Sequence, residues 1–279
     1  MTALLATAAA ALFGTSDFLG GLASRRVSAI IATLAAQAVG LTIFVVVTLA
    51  WPSSSATPRD LQYGALAGLA GGVGVLSLYA GLAAGRMSVV APVTAALSGS
   101  LPALVSFARG EVVRPVGLLG LGLALVAVML VSYSTEDNGE GGSSRRALAY
   151  AVIAGAGFAG SMLCYAETAP ASNVLPLIPA RATTIVLLLA LALVRRTGLR
   201  IEGVARRQAL MAGGVDAFAN WSLLVSLRMG PVAVASVVSS LYPVTTVLLA
   251  RVILDERIRG LQRLGVAIAF LAVVLSALG

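Results

Sequence analysis

AGGVDAFANWSLLVSLRM, residues 212–229, aligns without a gap with AGGVGVLSLYAGLAAGRM, residues 70–87, at an offset of 142. AGGV opens both stretches and RM closes both. Gly74, Leu78 and Tyr79 of the earlier copy stand where the later copy has Asp216, Asn220 and Trp221. A repeat with one polar copy points to a duplicated scaffold that carries one site. A second match lies further along: GEVVRPVGLLG (110–120) against DERIRGLQRLG (255–265), at an offset of 145, with Glu111 opposite Glu256 and Gly120 opposite Gly265. The change of offset predicts about three extra residues in the ninth apolar span, close to one helical turn.

Hydrophobic residues make up 59% of the chain and charged residues 11%, whereas a soluble domain holds about a quarter charged residues. The apolar residues come in runs of roughly 20, the length a helix needs to cross a bilayer. The strands of a membrane β-barrel are about 10 residues long and alternate in polarity, so a barrel is excluded. Ten apolar spans are expected, at about 3–23, 28–50, 61–84, 88–108, 115–133, 147–168, 173–194, 208–227, 231–253 and 260–278. The polar stretch STEDNGEGGSSRR (134–146) is the best linker candidate. The expected organisation is a five-helix repeat over 1–134, a polar linker loop over 135–146 and a second five-helix repeat over 147–279. Five is odd, so the second half enters the membrane inverted, the arrangement of many secondary transporters. The fold class is therefore all-α integral membrane, with ten transmembrane helices in two inverted five-helix repeats.

The net charge of +8 does not indicate nucleic acid. The basic residues are all Arg and sit in short loops between apolar runs, the pattern of membrane topology rather than a phosphate-binding face. Fourteen fall in the odd-numbered loops and four in the even-numbered ones. The odd loops are thus expected in the cytoplasm, in a multi-pass plasma (inner) membrane protein with both termini outside. The first stretch, MTALLATAAAALFG, reads as a membrane helix rather than a signal peptide, since it lacks a basic n-region. There is no histidine and a single cysteine, Cys164. That removes His-based metal sites, Ser-His triads and an internal disulfide. No cofactor or metal is called for, and a membrane-embedded enzyme lacks its acid–base set.

An ionised side chain at mid-membrane on a helix costs roughly 2.5–3.5 kcal/mol on insertion scales, so it faces a cavity or a partner. Asp17 lies in the first span and either carries a coupling proton or pairs with Arg25 and Arg26. Asp216 and Asn220 are four apart and share a helix face. They bind substrate, or hold helices together by an interhelical bond. Arg181, 144 positions after Gln37, either grips a substrate carboxylate through its planar fork or neutralises Asp216 or Asp17. Glu167 ends the sixth span and reaches the interface. Tyr79, Tyr165, Tyr242 and Trp221 are aromatic candidates against an organic substrate, or belong to packing and interfacial belts. Pro243, inside the ninth span, is expected to kink it or free carbonyls.

These features resemble the EamA-type members of the drug/metabolite transporter superfamily. The resemblance is strongest over GPVAVASVVSSLYPVTTVLLARVILDERIRGLQRLGVAIAFLAVVL (230–275), with Pro243, the turn Asp255-Glu256-Arg257 and Gly265. Pro176 followed by Arg181, and the opening GTSDFLGGLASRR (14–26), resemble the family as well. Helix 2 carries Gln37 where many relatives have Arg, and Glu111 is followed by Val112 instead of a basic residue. The resemblance implies export or exchange of small organic metabolites, such as amino acids or toxic compounds. Glu111 and Glu256 are expected to cap or pair with Arg. The expected site is Asp216, Asn220, Trp221, Tyr79, Arg181 and Gln37 for a small-molecule substrate, with Asp17 or Asp216 carrying any coupled proton. An uptake permease, or a membrane sensor or assembly protein that transports nothing, are the alternatives.

Overall fold

The computed structural model describes all residues except 51–54, 85–86, 133–144, 255–259 and 279. Among the described residues there are eleven α-helices and no strand: α1 Thr2–Ser24, α2 Ala29–Ala50, α3 Pro58–Ala84, α4 Met87–Ala108, α5 Pro115–Ser132, α6 Arg145–Ala166, α7 Leu177–Val194, α8 Gly203–Met229, α9 Val232–Ser239, α10 Tyr242–Ile253 and α11 Gly260–Leu278. Length and composition mark eight stretches as membrane-crossing, α9 and α10 counting as one of them, Val232–Ile253. The apolar stretches Val93–Ala108 and Pro115–Val131 are shorter. The 135–146 linker falls almost wholly outside the described residues, and α6 already begins at Arg145. Large apolar side chains such as Leu4, Val46, Leu119, Val186 and Phe270 stay exposed along the helices, as they do on a protein whose surrounding medium is lipid.

Helices α3, α4 and α5 are matched by α8, by α9 with α10, and by α11 at one spacing. Both α3 and α8 have 27 residues, and their first residues, 58 and 203, are 145 apart. Likewise α4 spans 87–108 while α9 and α10 together span 232–253, and α5 and α11 begin at 115 and 260. The offset of 142 read from AGGV…RM is therefore corrected. Met229 ends α8, whereas Met87 begins α4, and the ninth span holds no extra turn. The reason is geometric: three residues advance a helix by nearly a full turn, so a run of Gly and Ala matches its copy almost as well one turn out of register.

The contacts follow the 145 spacing too. A Cβ on Gly68 would collide with the backbone of Ala180 on α7, and one on Gly213 with the backbone of Ala36 on α2. A Cβ on Gly120 would come within 2.6 Å of Ser276 N, and one on Gly265 within 2.8 Å of Val131 N. In both cases the absent side chain lets two helices approach closely, which drives packing where lipid is as apolar as the core. Across the bundle α3 packs on α6 and α1 on α8; α3 packs on α7 and α2 on α8; α4 packs on α6 while α9 and α10 pack on α1.

The ninth span is broken. Between α9 and α10 lie Ser240 and Leu241, and Pro243 occupies the first turn of α10. A proline ring clashes with the carbonyl four residues back and lacks the N–H of a continuous helix. The serine hydroxyls around the break stay local. Ser239 Oγ donates to Ser236 O at 3.0 Å, and Ser240 Oγ to Val237 O at 2.7 Å.

Candidate functional site

Arg181 lies one turn into α7, which starts just after Pro176. Its side chain is 6% exposed, and Nη2 lies 2.6 Å from Asp216 Oδ2 on α8. Nη1 donates to Gln37 Oε1 on α2. The guanidinium carbon stands 5.7 Å from the centre of the Phe44 ring, and a Cβ on Gly40 would come within 3.2 Å of Arg181 Nε. Gln37, Gly40 and Phe44 are spaced three and four apart, so they form one face of α2. That face offers the cation an amide oxygen, a gap and a ring. The contact with Asp216 is short but off the hydrogen-bonding axis, since neither Nη2 nor Oδ2 has an aligned partner. Arg181 is thus neutralised without being locked in a bidentate fork.

Asp216 is 20% exposed. Asn220 Nδ2 donates to Asp216 O at 2.9 Å and to its Oδ1 at 3.2 Å, so the expected shared face of α8 is formed. Asp17 on α1 is exposed and lies within electrostatic reach of Asp216. It also acts on Tyr242, the first residue of α10. No ion pair joins it to Arg25 or Arg26 among the described residues. Tyr165 on α6 is 5% exposed, bonds to Ser161 and feels both Arg181 and Asp216.

The structure therefore brings together Arg181, Gln37, Asp216, Asn220 and, within charge range, Asp17. Trp221 is not among them. Five residues on from Asp216, it sits about 140° around the helix, 41% exposed beside the exposed Phe218. The Tyr79 side chain lies outside the described residues. Gly40, Phe44 and Ser161 escaped the sequence reading. The periodicity from Gln37 on α2 was the one available signal for the first two.

The end of the bundle that holds the even-numbered loops is cross-linked. Glu167 meets Arg109 at 2.5 Å and Arg59 at 3.5 Å. Asp60 accepts from Thr57 N at 2.8 Å, Thr57 Oγ1 at 2.6 Å and Ala169 N at 2.7 Å. Arg228 donates to Thr168 Oγ1, Ser172 Oγ and Asn173 O. Glu111 accepts from the first N–H groups of α9, Val232 at 2.7 Å and Ala233 at 3.1 Å, where a negative charge also complements the helix dipole. Its role is capping; Glu256 lies outside the described residues.

Residues 145–278 match the family described as EamA-like transporters. Over those residues, just under half of its length, the chain is similar to that family of membrane transporters. A solved structure titled only "Crystal structure of protein" is 18% identical and shares the fold, with a TM-score of 0.79 over 99% of this chain and 98% of the other. No curated protein matches the sequence.

Proposed function

We propose that this chain is an EamA-type secondary transporter of the plasma (inner) membrane. It exports or exchanges small organic metabolites by alternating access, through ten spans in two inverted halves. The 145-residue spacing of α3, α4 and α5 to their counterparts, and pairings that map onto each other when the halves are exchanged, support the duplication. Transporters of this kind hold their site near mid-membrane between the repeats, with broken helices beside it. Arg181, Asp216, Gln37 and Asn220 occupy that position, and the break before α10 presents Tyr242 to Asp17.

One observation carries the reading. The Arg181–Asp216 pair, contributed by α7 and α8 of one half, sits against Gln37 of the other, with a second carboxylate, Asp17 of α1, nearby. With both carboxylates ionised these three groups carry one net negative charge. Asp17 is the group free to take up a proton, and no histidine competes for that role. A substrate carboxylate can draw on the guanidinium donors that Asp216 holds off-axis. The Arg-rich odd loops lie in the cytoplasm, and the cross-linked even-loop end faces outward.

The test is flux into vesicles holding the purified protein, across amino acids, nucleosides and organic cations, under an imposed pH gradient. One class is expected to move, and Arg181→Ala and Asp216→Asn to abolish its movement while elution on size exclusion stays unchanged. Flux that persists in both variants would remove the pair from the mechanism. No flux for any class would favour a membrane protein that transports nothing.

A further inference from the structure

At the opposite end from the cross-linked network, the loops 25–28 and 195–202 come from different halves and meet. Ile201 and Val27 pack into a small apolar cluster with Ala23, Ala32 and Ala209, which pins one loop over the other. Between them opens a recess of about 500 Å³ lined by Arg26, Val27, Arg200, Glu202, Val204 and Ala205. Its volume falls within the roughly 300–1,000 Å³ usual for small-ligand sites.

Three features of this recess exceed what topology needs. First, charge: Arg26 and Arg200 line the recess, Arg25, Arg195, Arg196, Arg206 and Arg207 follow on the same two loops and the first turn of α8, and all seven are exposed. Glu202 is the one carboxylate on these two loops, and none of the seven arginines forms a carboxylate ion pair among the described residues. Second, α8 starts at this wall with Gly203 at φ +57° and no side-chain cap on its first N–H groups, so backbone donors join the guanidinium donors. Third, the rim is apolar. Leu193, Val194, Leu199 and Val204 are 51–82% exposed beside the arginines. Guanidinium groups and free N–H groups select a phosphate, and an exposed apolar rim at a helix end selects what acyl chains carry. Basic pockets between helix ends on the cytoplasmic side are suited to acidic lipid headgroups.

We propose that this recess binds the headgroup of an anionic phospholipid, whose chains lie against Leu193, Val194 and Val204. The lipid bridges the first helix of one half to the seventh and eighth of the other, so it stabilises their packing. The site stands apart from the central Arg181–Asp216 pair and does not depend on transport.

The test is the melting temperature of the full-length protein in a neutral detergent. The probes are dioleoyl phosphatidylglycerol, dioleoyl phosphatidylcholine, glycerol 3-phosphate and inorganic phosphate. A ligand that binds only the folded state raises the melting temperature by mass action. Phosphatidylglycerol is expected to raise it by several degrees, and the other three to leave it within about a degree. R26Q with R200Q should remove more than half of the rise, while R145Q, at the same end of the bundle but outside the recess, should keep it. If the double glutamine variant does not fold, R26K with R200K serves instead; it should keep most of the rise, because the ammonium still pairs with phosphate. An equal loss with R145Q, or an equal rise with phosphatidylcholine, would overturn the proposal. A rise with glycerol 3-phosphate or phosphate alone would assign the recess to a soluble anion and overturn the lipid assignment.

Discussion

The helices α3 and α8 are the same length and occupy matching places, yet their middles differ in chemistry. In the 145 register Gly71 stands opposite Asp216, and Val75 opposite Asn220. On the other side of each pair, Ser161 of α6 and Asp17 of α1 stand 144 apart. Gly71 lies against Ser161, and Asp216 lies within electrostatic reach of Asp17. The third matched pair, Gln37 and Arg181, meets itself across the bundle centre, as equivalent residues do near a two-fold axis. The closest-packed matching positions are glycine in both halves: Gly68 and Gly213, Gly120 and Gly265. The positions that differ bring three ionisable groups to one side of the centre and none to the other. In the proposed duplication, packing is what was kept and charge is what diverged.

The most severe way to break this contrast is to strip one charge from the second half. Arg181→Ala leaves the largely enclosed Asp216 without its cation, and losing one partner of a buried pair costs about 3–5 kcal/mol. The expected result is a melting temperature lowered by many degrees and complete loss of flux. The double variant Arg181→Leu with Asp216→Leu, which leaves the centre of the second half uncharged, should recover most of the melting temperature and none of the flux. Recovery of both would make the pair purely structural.

Gly213→Leu should cost about 1–3 kcal/mol by overpacking, because the side chain meets the α2 backbone at Ala36. Gly68→Leu should cost about as much. Gly214→Leu, whose Cβ would meet nothing within 4 Å, should cost far less. A series of melts on the three variants tests the register directly: equal losses at 213 and 214 would refute it. Gln37→Leu removes a hydrogen bond to a buried cation, worth about 1.5–3 kcal/mol, and should weaken flux without abolishing it.

Asp17→Asn is expected to leave the melting temperature nearly unchanged, since the side chain has no ion pair to lose. It should flatten the dependence of flux on an imposed pH gradient. A pH profile that matches the parent protein would exclude Asp17 as the proton carrier. The smallest effect belongs to Trp221→Ala. An exposed side chain off the Asp216 face should change stability by no more than about 0.5 kcal/mol and leave apparent substrate affinity unchanged. A tenfold loss of affinity would place Trp221 back in the site.

Much of this was legible before any coordinates. Mid-span Asp, Asn and Arg stand out because lipid gives them no partner, so Asp17, Asp216, Asn220 and Arg181 could be selected by their cost alone. Glu111 was expected to cap or to pair with Arg, but that it caps α9 across the bundle rather than α5 after its own turn was not legible. What misled was similarity among small residues. AGGV recurs at 70 and at 212, but Gly and Ala make nearly identical runs at neighbouring turns, and the true spacing is fixed by which carbonyl each glycine must clear. Trp221 was drawn into the site by adjacency in sequence, whereas 100° per residue turns it away.

Composition and periodicity by themselves determined that the chain is a helical membrane protein and which residues are too costly to face lipid, because both depend on transfer free energy that each residue carries with it. Tertiary structure alone decided that Arg181 chooses Asp216 over Asp17, that Gln37, Gly40 and Phe44 cradle it, and that two arginine-rich loops from opposite halves close around one recess. Those facts depend on distances between helices far apart in the chain, set by where small residues let backbones meet, and no local pattern encodes them.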